Sequence, residues 1–77
     1  MQVTLVVHGH TAEYFPGKRT RHVVSLESPV SVREIIERLG VRPELIMGVF
    51  VEGCRMSKDY VPSDGAEVVL ISPAAGG

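Results

Sequence analysis

The sequence predicts a small α+β domain in which one main helix packs across a mixed sheet of four or five strands. The 77 residues suffice for one domain, 1–77. Apolar residues recur at helical spacing most clearly in residues 32–39, and short apolar runs bounded by turn residues occupy much of the remainder. A chain this short has little room for both a core and a deep catalytic cleft, which favours a module that acts with other proteins over a self-sufficient enzyme.

Two strands are predicted before the helix, at residues 3–8 and 21–27. Between them, Pro16-Gly17 is a turn signal, and residues 11–15 fit either a short helical turn or a loop. We expect the two strands to pair antiparallel.

The helix carries start and stop signals. Ser31 and Glu34 have the spacing of a capping box, which satisfies two free amide donors at a helix N-terminus. Gly40 suits the position after the helix, where a left-handed backbone costs glycine little. One apolar stripe faces a core, at Val32, Ile35, Ile36 and Leu39.

The elements predicted after the helix are, in order, a loop or single turn at 43–45, a strand at 46–51, a tight turn at 52–53, a short return strand at 54–56, an irregular stretch at 57–63 and a last strand at 67–71. The first and last strands are the most continuously apolar, so we place them side by side at the centre of the sheet. This element order is that of the ubiquitin-like β-grasp.

Composition argues against several kinds of partner. The formal net charge of −1 offers no basic excess for nucleic-acid or membrane binding, and 5% aromatic residues without Trp do not make a base-stacking platform. Cys54 is the one cysteine, so no internal disulfide forms, which suits a reducing cytoplasm. No apolar run reaches membrane-span length and no secretory signal is visible, so we expect a cytoplasmic protein.

The sequence after the last strand has only small side chains. We expect residues 72–77 to form a flexible C-terminal tail, ending in Gly76-Gly77. Such an end either frays without a role or presents its carboxylate to a partner, and we favour the second interpretation.

The strands next to this tail predict a partner-binding surface. Because side chains alternate along a strand, Val69 and Ile71 share the face opposite to the helix. Phe50 alternates in the same way and is expected to join them, with Pro73 at the start of the tail. The alternative is that these residues are scattered or covered by a loop. An exposed apolar patch beside the tail would be typical of a docking site.

The chain resembles the small sulfur-carrier proteins of the β-grasp superfamily, namely the molybdopterin synthase small subunit and the thiamine-pathway sulfur carrier. The resemblance covers the chain in element order and is specific in the last fourteen residues. The residues that carry it are Gly53, Asp64-Gly65, Glu67-Val68, Leu70-Ile71, Pro73 and Gly76-Gly77. The tail ending is closer to the molybdopterin type and the short segment 39–53 to the thiamine type, so the resemblance leaves the pathway open.

The resemblance implies chemistry at Gly77 and three partners. In such families an E1-like enzyme uses ATP to adenylate the terminal glycine, which then becomes a thiocarboxylate that donates sulfur in cofactor biosynthesis. The implied partners are this enzyme, a sulfur donor of the desulfurase or rhodanese type, and an acceptor synthase subunit. The chain itself would be a cosubstrate without a bound cofactor rather than an enzyme. The residues expected to enter the partner's active site are Ala74, Ala75, Gly76 and Gly77.

Two alternatives of other classes stay open. The same activated Gly77 would serve a ubiquitin-like modifier that is joined to lysines, and a plain β-grasp interaction domain would make no use of its Gly-Gly. No metal site is predicted from His8, His10 and His22, because no carboxylate or cysteine completes the set at a recognisable spacing. Cys54 has no evident activating neighbour in the sequence and is assigned no role.

Overall fold

The computed structural model describes residues 1–72. The predictions for Pro73, Ala74, Ala75, Gly76 and Gly77 therefore lie outside the described residues. The described elements are the strands β1 (Gln2–Val7), β2 (Arg21–Ser25), β3 (Gly48–Val51), β4 (Cys54–Met56) and β5 (Glu67–Ile71), the helix α1 (Val32–Arg38), and three short 3₁₀ segments at Gly9–Tyr14, Pro16–Lys18 and Pro43–Leu45.

The sheet is mixed, with the strand order β2-β1-β5-β3-β4. The pair β1/β5 is parallel, and the other three neighbouring pairs are antiparallel. The predicted α+β architecture is confirmed, and it has five strands rather than four. The first and last strands are adjacent, as their apolar character predicts, and β5 is the central strand of the sheet.

The core lies between α1 and one face of the sheet. Alternation along β1 and β5 buries every second side chain, so that Leu5 and Leu70 are fully inaccessible to solvent. The helix contributes Val32, Ile35 and Ile36 to the same apolar cluster. A seven-residue helix has little stability in isolation, so this packing is what holds α1 in place.

The helix N-terminus confirms only half of the predicted capping box. The Ser31 hydroxyl accepts the Glu34 amide at 3.2 Å, as expected. The Glu34 carboxylate does not return a bond to Ser31 among the described residues, because it accepts Arg38 Nη2 at 2.6 Å one turn later. At the other end, Gly40 has a φ of 82° and donates its amide to the Glu37 carbonyl at 2.9 Å, as a left-handed helix terminus requires.

Strand boundaries differ from the prediction by one or two residues. The third strand was expected from residue 46 but begins at Gly48, because the Ile46 amide closes the preceding 3₁₀ segment by donating to Pro43 O at 3.0 Å. The tight turn before β4 is confirmed, with φ values of 50° at Glu52 and 79° at Gly53, the pattern of a two-residue hairpin. Within residues 1–72, no helix is long and apolar enough to cross a membrane.

Candidate functional site

The sheet face opposite to α1, which we call the open face, carries one continuous row of side chains across all five strands. The cross-strand pairs that define it are Arg21–Val6, Val6–Val69, Val69–Phe50 and Phe50–Arg55. Paired residues of neighbouring strands point to the same side of a sheet. The row therefore has an apolar centre of three side chains and an arginine at each end.

The three described residues predicted for docking lie together on this face. Val69 is paired with Phe50, and Ile71 follows Val69 by two positions on β5. All three side chains are half-buried, so each keeps some apolar surface open to solvent. Val6 belongs to the same patch and was missed, because its placement depends on the register between β1 and β5. We call Val6, Phe50, Val69 and Ile71 the apolar patch.

Gly48 is a further member of the site that sequence reasoning missed. It is paired with Ile71 and lies two positions before Phe50 on the same face. A Cβ atom at Gly48 would lie 2.8 Å from Phe50 Cε1 and 2.9 Å from Ile71 Cγ1, well inside normal contact distance. The missing side chain therefore allows the Phe50 and Ile71 side chains to close over the β3 backbone.

We expect Gly48→Ala to push the Phe50 and Ile71 side chains apart and to destabilise the fold by about 1–3 kcal/mol, the usual cost of overpacking. Urea denaturation gives the free energy of unfolding, and the aromatic NMR resonances of Phe50 report the displacement. The matched control is Ser25→Ala, at an exposed position on β2. Unchanged stability together with unchanged Phe50 resonances would contradict the proposed packing.

Positive charge borders the apolar patch on both sides. The Arg55 guanidinium carbon lies 5.9 Å from the centre of the Phe50 ring, and its Nη2 donates to the Met47 carbonyl at 2.8 Å. On the other side, Arg21 Nη1 lies 3.3 Å from Glu67 Oε2, with both side chains more than half exposed. Exposed pairs of this kind add little stability. Both arginines remain accessible to a partner that approaches the open face.

Backbone hydrogen bonds hold β5 on both sides up to the point where it leaves the sheet. The His8 amide donates to Leu70 O at 3.2 Å, and the Met47 amide donates to Ile71 O at 2.8 Å. Because Ile71 is also part of the apolar patch, the segment that carries Gly76-Gly77 in the sequence follows directly from the edge of this patch.

The histidines are engaged separately rather than as one site. His10 Nε2 lies 3.4 Å from the Tyr14 hydroxyl, and His22 Nε2 lies 2.8 Å from Arg19 O. No group of three or more His, Cys, Asp or Glu side chains within the described part of the chain is arranged to hold a metal ion. Cys54 is exposed at the start of β4.

A shallow groove of about 510 Å³ adjoins the apolar patch at Val69. Its acidic lining consists of Glu52, Asp64 and Glu67. Asp64 Oδ1 accepts the backbone N–H of Gln2 at 2.8 Å, and Glu67 forms an ion pair with Arg21. Two of the three carboxylates thus already have partners within the protein.

Comparison with known proteins identifies the fold. No family model matches the chain, and no curated protein matches it in sequence. The crystal structure of SAMP1 from Haloferax volcanii is similar with a TM-score of 0.75 over 100% of both chains, at 15% sequence identity. The solution structure of Urm1 from Trypanosoma brucei is similar with a TM-score of 0.70, covering 99% of this chain and 95% of that one, at 23% identity. The fold is the ubiquitin-like β-grasp.

Proposed function

We propose that this chain is a ubiquitin-like sulfur carrier whose C-terminal Gly77 is adenylated by an E1-like enzyme and then converted to a thiocarboxylate. The observation that carries the proposal is the position of the apolar patch at the end of β5, the strand that the Gly76-Gly77 segment follows in the sequence. A carrier of this kind needs a docking surface and a reactive end on the same side of the molecule. The solved neighbours SAMP1 and Urm1, which are of the ubiquitin-like carrier and modifier kind, support the general class.

The chemistry explains why the tail needs a partner enzyme. A carboxylate is a poor acyl donor, so one oxygen of Gly77 attacks the α-phosphate of ATP, which forms an acyl-adenylate and releases pyrophosphate. Sulfide then attacks the acyl carbon, and AMP leaves with the bridging oxygen. A desulfurase or rhodanese-type donor carries its sulfur as a persulfide, so a thiol must reduce that persulfide to release the sulfide. The ATP site belongs to the partner, and the carrier contributes the acyl group. The glycines allow the backbone to approach closely through a narrow channel.

The folded domain supplies the docking energy in this proposal. Ordering a tail costs about 1–2 kcal/mol per residue that becomes fixed, so binding through the tail alone would be weak. The apolar patch offers the buried contacts, and Arg55 beside Phe50 favours an acidic group on the partner, since complementary charge raises the association rate and the specificity. An acceptor synthase subunit is proposed to use the same face.

Intact-protein mass spectrometry tests the proposal directly. The purified chain is incubated with ATP, the E1-like enzyme of the same cell and a sulfide source, and a matched reaction omits ATP. We expect an ATP-dependent mass gain that equals replacement of one oxygen by sulfur, localised to Gly77 by fragmentation. No gain with any E1-like enzyme of that cell, when the tail is intact by mass, would refute the sulfur-carrier proposal.

The second candidate function is a ubiquitin-like protein modifier. The same adenylate is open to attack by a lysine amine in place of sulfide, and the similarity to SAMP1 and Urm1 favours neither outcome over the other. Covalent conjugates in cell extract that disappear when Gly77 is removed would support the modifier. If removal of Gly77 changes no cellular function of the protein, a plain interaction domain is favoured.

We expect Phe50→Ala to weaken binding to the E1-like enzyme by about tenfold or more, because Phe50 is the proposed central anchor of the interface and truncation of such a hot-spot side chain costs about 2 kcal/mol or more. Isothermal titration calorimetry with the enzyme measures the dissociation constant. Tyr14→Ala is the matched control, since Tyr14 is an exposed aromatic residue on the 3₁₀ segment that precedes β2. Equal affinities for the wild type and Phe50→Ala would show that docking does not use the open face.

A further inference from the structure

Thr11 joins the first 3₁₀ segment to the end of β5 through its side chain. Thr11 is only 1% exposed to solvent. Its Oγ1 lies 2.8 Å from the Oγ of Ser72, which is 61 positions later in the sequence. A buried hydroxyl is costly unless it is hydrogen-bonded. The bond therefore satisfies Thr11 and at the same time fixes the side chain of Ser72, the first residue of the predicted tail 72–77.

Thr11 is itself held firmly enough to act as an anchor. Its amide donates to His8 O at 3.0 Å, and the His8 amide donates to Leu70 O on β5 at 3.2 Å. These bonds attach the 3₁₀ segment to β5 independently of the Thr11 hydroxyl. Loss of the hydroxyl should therefore release Ser72 while β5 keeps its pairing as far as Ile71.

If Gly77 is the reacting terminus, as proposed, its reach depends on its distance along the chain from Ser72. Five residues follow Ser72 in the sequence, and a fully extended chain of that length spans about 16–18 Å. With so short a tail, a change in the position or direction of Ser72 changes which positions the Gly77 carboxylate can reach. Correct placement of a reacting group can account for a large part of an enzyme's rate enhancement. A tail that leaves Ser72 in the wrong direction is therefore expected to be adenylated slowly.

We infer that Thr11 is a positioning residue, which aims the C-terminal tail by fixing Ser72 at the exit of β5. This inference rests on the proposed function, because it assigns Thr11 a part in delivering Gly77 to an adenylating enzyme. Thr11 touches neither ATP nor the reacting carboxylate in this scheme, and it acts only through Ser72. Within residues 1–72 the Thr11 hydroxyl bonds Ser72 and no residue of the apolar patch, so we expect docking and delivery to be separable.

The test compares Thr11→Val, which removes the hydroxyl at similar size, with Thr11→Ser, which retains it. Thr20→Val is the matched control at an exposed threonine. Two measurements use the E1-like enzyme. The first is the dissociation constant of the complex without ATP, and the second is the kcat of adenylate formation, measured by pyrophosphate release. The ¹⁵N heteronuclear NOE of the Ser72 amide in the free protein is a third readout, which needs no enzyme.

For Thr11→Val we expect a dissociation constant within twofold of the wild type, a kcat lowered about three- to tenfold, as the loss of one hydrogen bond implies, and a reduced NOE at Ser72. Thr11→Ser should restore the kcat and the NOE. A lowered melting temperature with unchanged kcat and NOE would overturn the inference, because the bond would then be merely structural. If the wild type is not adenylated at all, the proposed function fails, and an unchanged NOE at Ser72 separately refutes the anchor.

Discussion

Deletion of Gly77 is expected to abolish the ATP-dependent mass gain while the fold remains intact. The shortened chain ends at Gly76, so its carboxylate lies about 3.5 Å short of the position that the enzyme's ATP site requires. A displacement of even 1 Å from the reacting geometry can cost about a hundredfold in rate. Intact mass after incubation with the E1-like enzyme and sulfide measures the product, and circular dichroism confirms the fold.

Two further variants test whether the position of the terminal carboxylate, rather than the composition of the tail, controls the reaction. One glycine added after Gly77 should abolish the gain as fully as the deletion, because it moves the carboxylate in the opposite direction. Ala75→Gly keeps the length and the terminal carboxylate, and it should retain most of the activity. Sulfur transfer at the wild-type rate by the shortened chain would rule out Gly77 as the site of activation.

Leu70→Ala is expected to unfold most of the protein at physiological temperature. Leu70 is fully buried at the centre of the sheet, paired with Val7 on β1 and Val49 on β3. Truncation of a buried leucine to alanine costs about 2–5 kcal/mol. A core this small rarely supplies more than about 3–5 kcal/mol of net stability, so the cost of Leu70→Ala is comparable to the whole free energy of unfolding. Urea denaturation followed by circular dichroism measures the free energy of unfolding.

The neighbouring residue on the same strand provides the control. Val69 points to the open face and is only half-buried, so Val69→Ala removes fewer buried contacts than Leu70→Ala. We expect it to stay folded with a distinctly smaller loss of stability and to lose affinity for the E1-like enzyme. Equal destabilisation by the two substitutions would mean that the two faces of β5 are buried alike, contrary to the described structure.

The alternation of side chains along single strands predicts only part of the apolar patch on the open face. Alternation places Val69 and Ile71 on one face of β5 without knowledge of any partner strand, because the period of two is a local property of the backbone. Phe50 was expected to join them because Val49 and Val51 on either side of it are apolar, and the pairing of Phe50 with Val69 confirms this. Alternation cannot add Val6 or Arg55, since membership of the row requires the register between strands that are distant in sequence. A shift of that register by one residue would turn these side chains to the other face.

The sequence by itself determined the helix limits to within one residue, the turn at Glu52-Gly53, the succession of elements along the chain and the adjacency of the first and last strands, but it left open whether the sheet has four or five strands. The helix limits and the turn depend on neighbours within a few residues, such as Ser31 before α1, Gly40 after it and Glu52-Gly53 between β3 and β4. Only the tertiary structure decided that Phe50 and Ile71 close over the bare backbone of Gly48 and that Thr11 bonds Ser72. Such contacts join segments up to 61 positions apart, and no local preference encodes them, because they form only when the sheet brings its strands together.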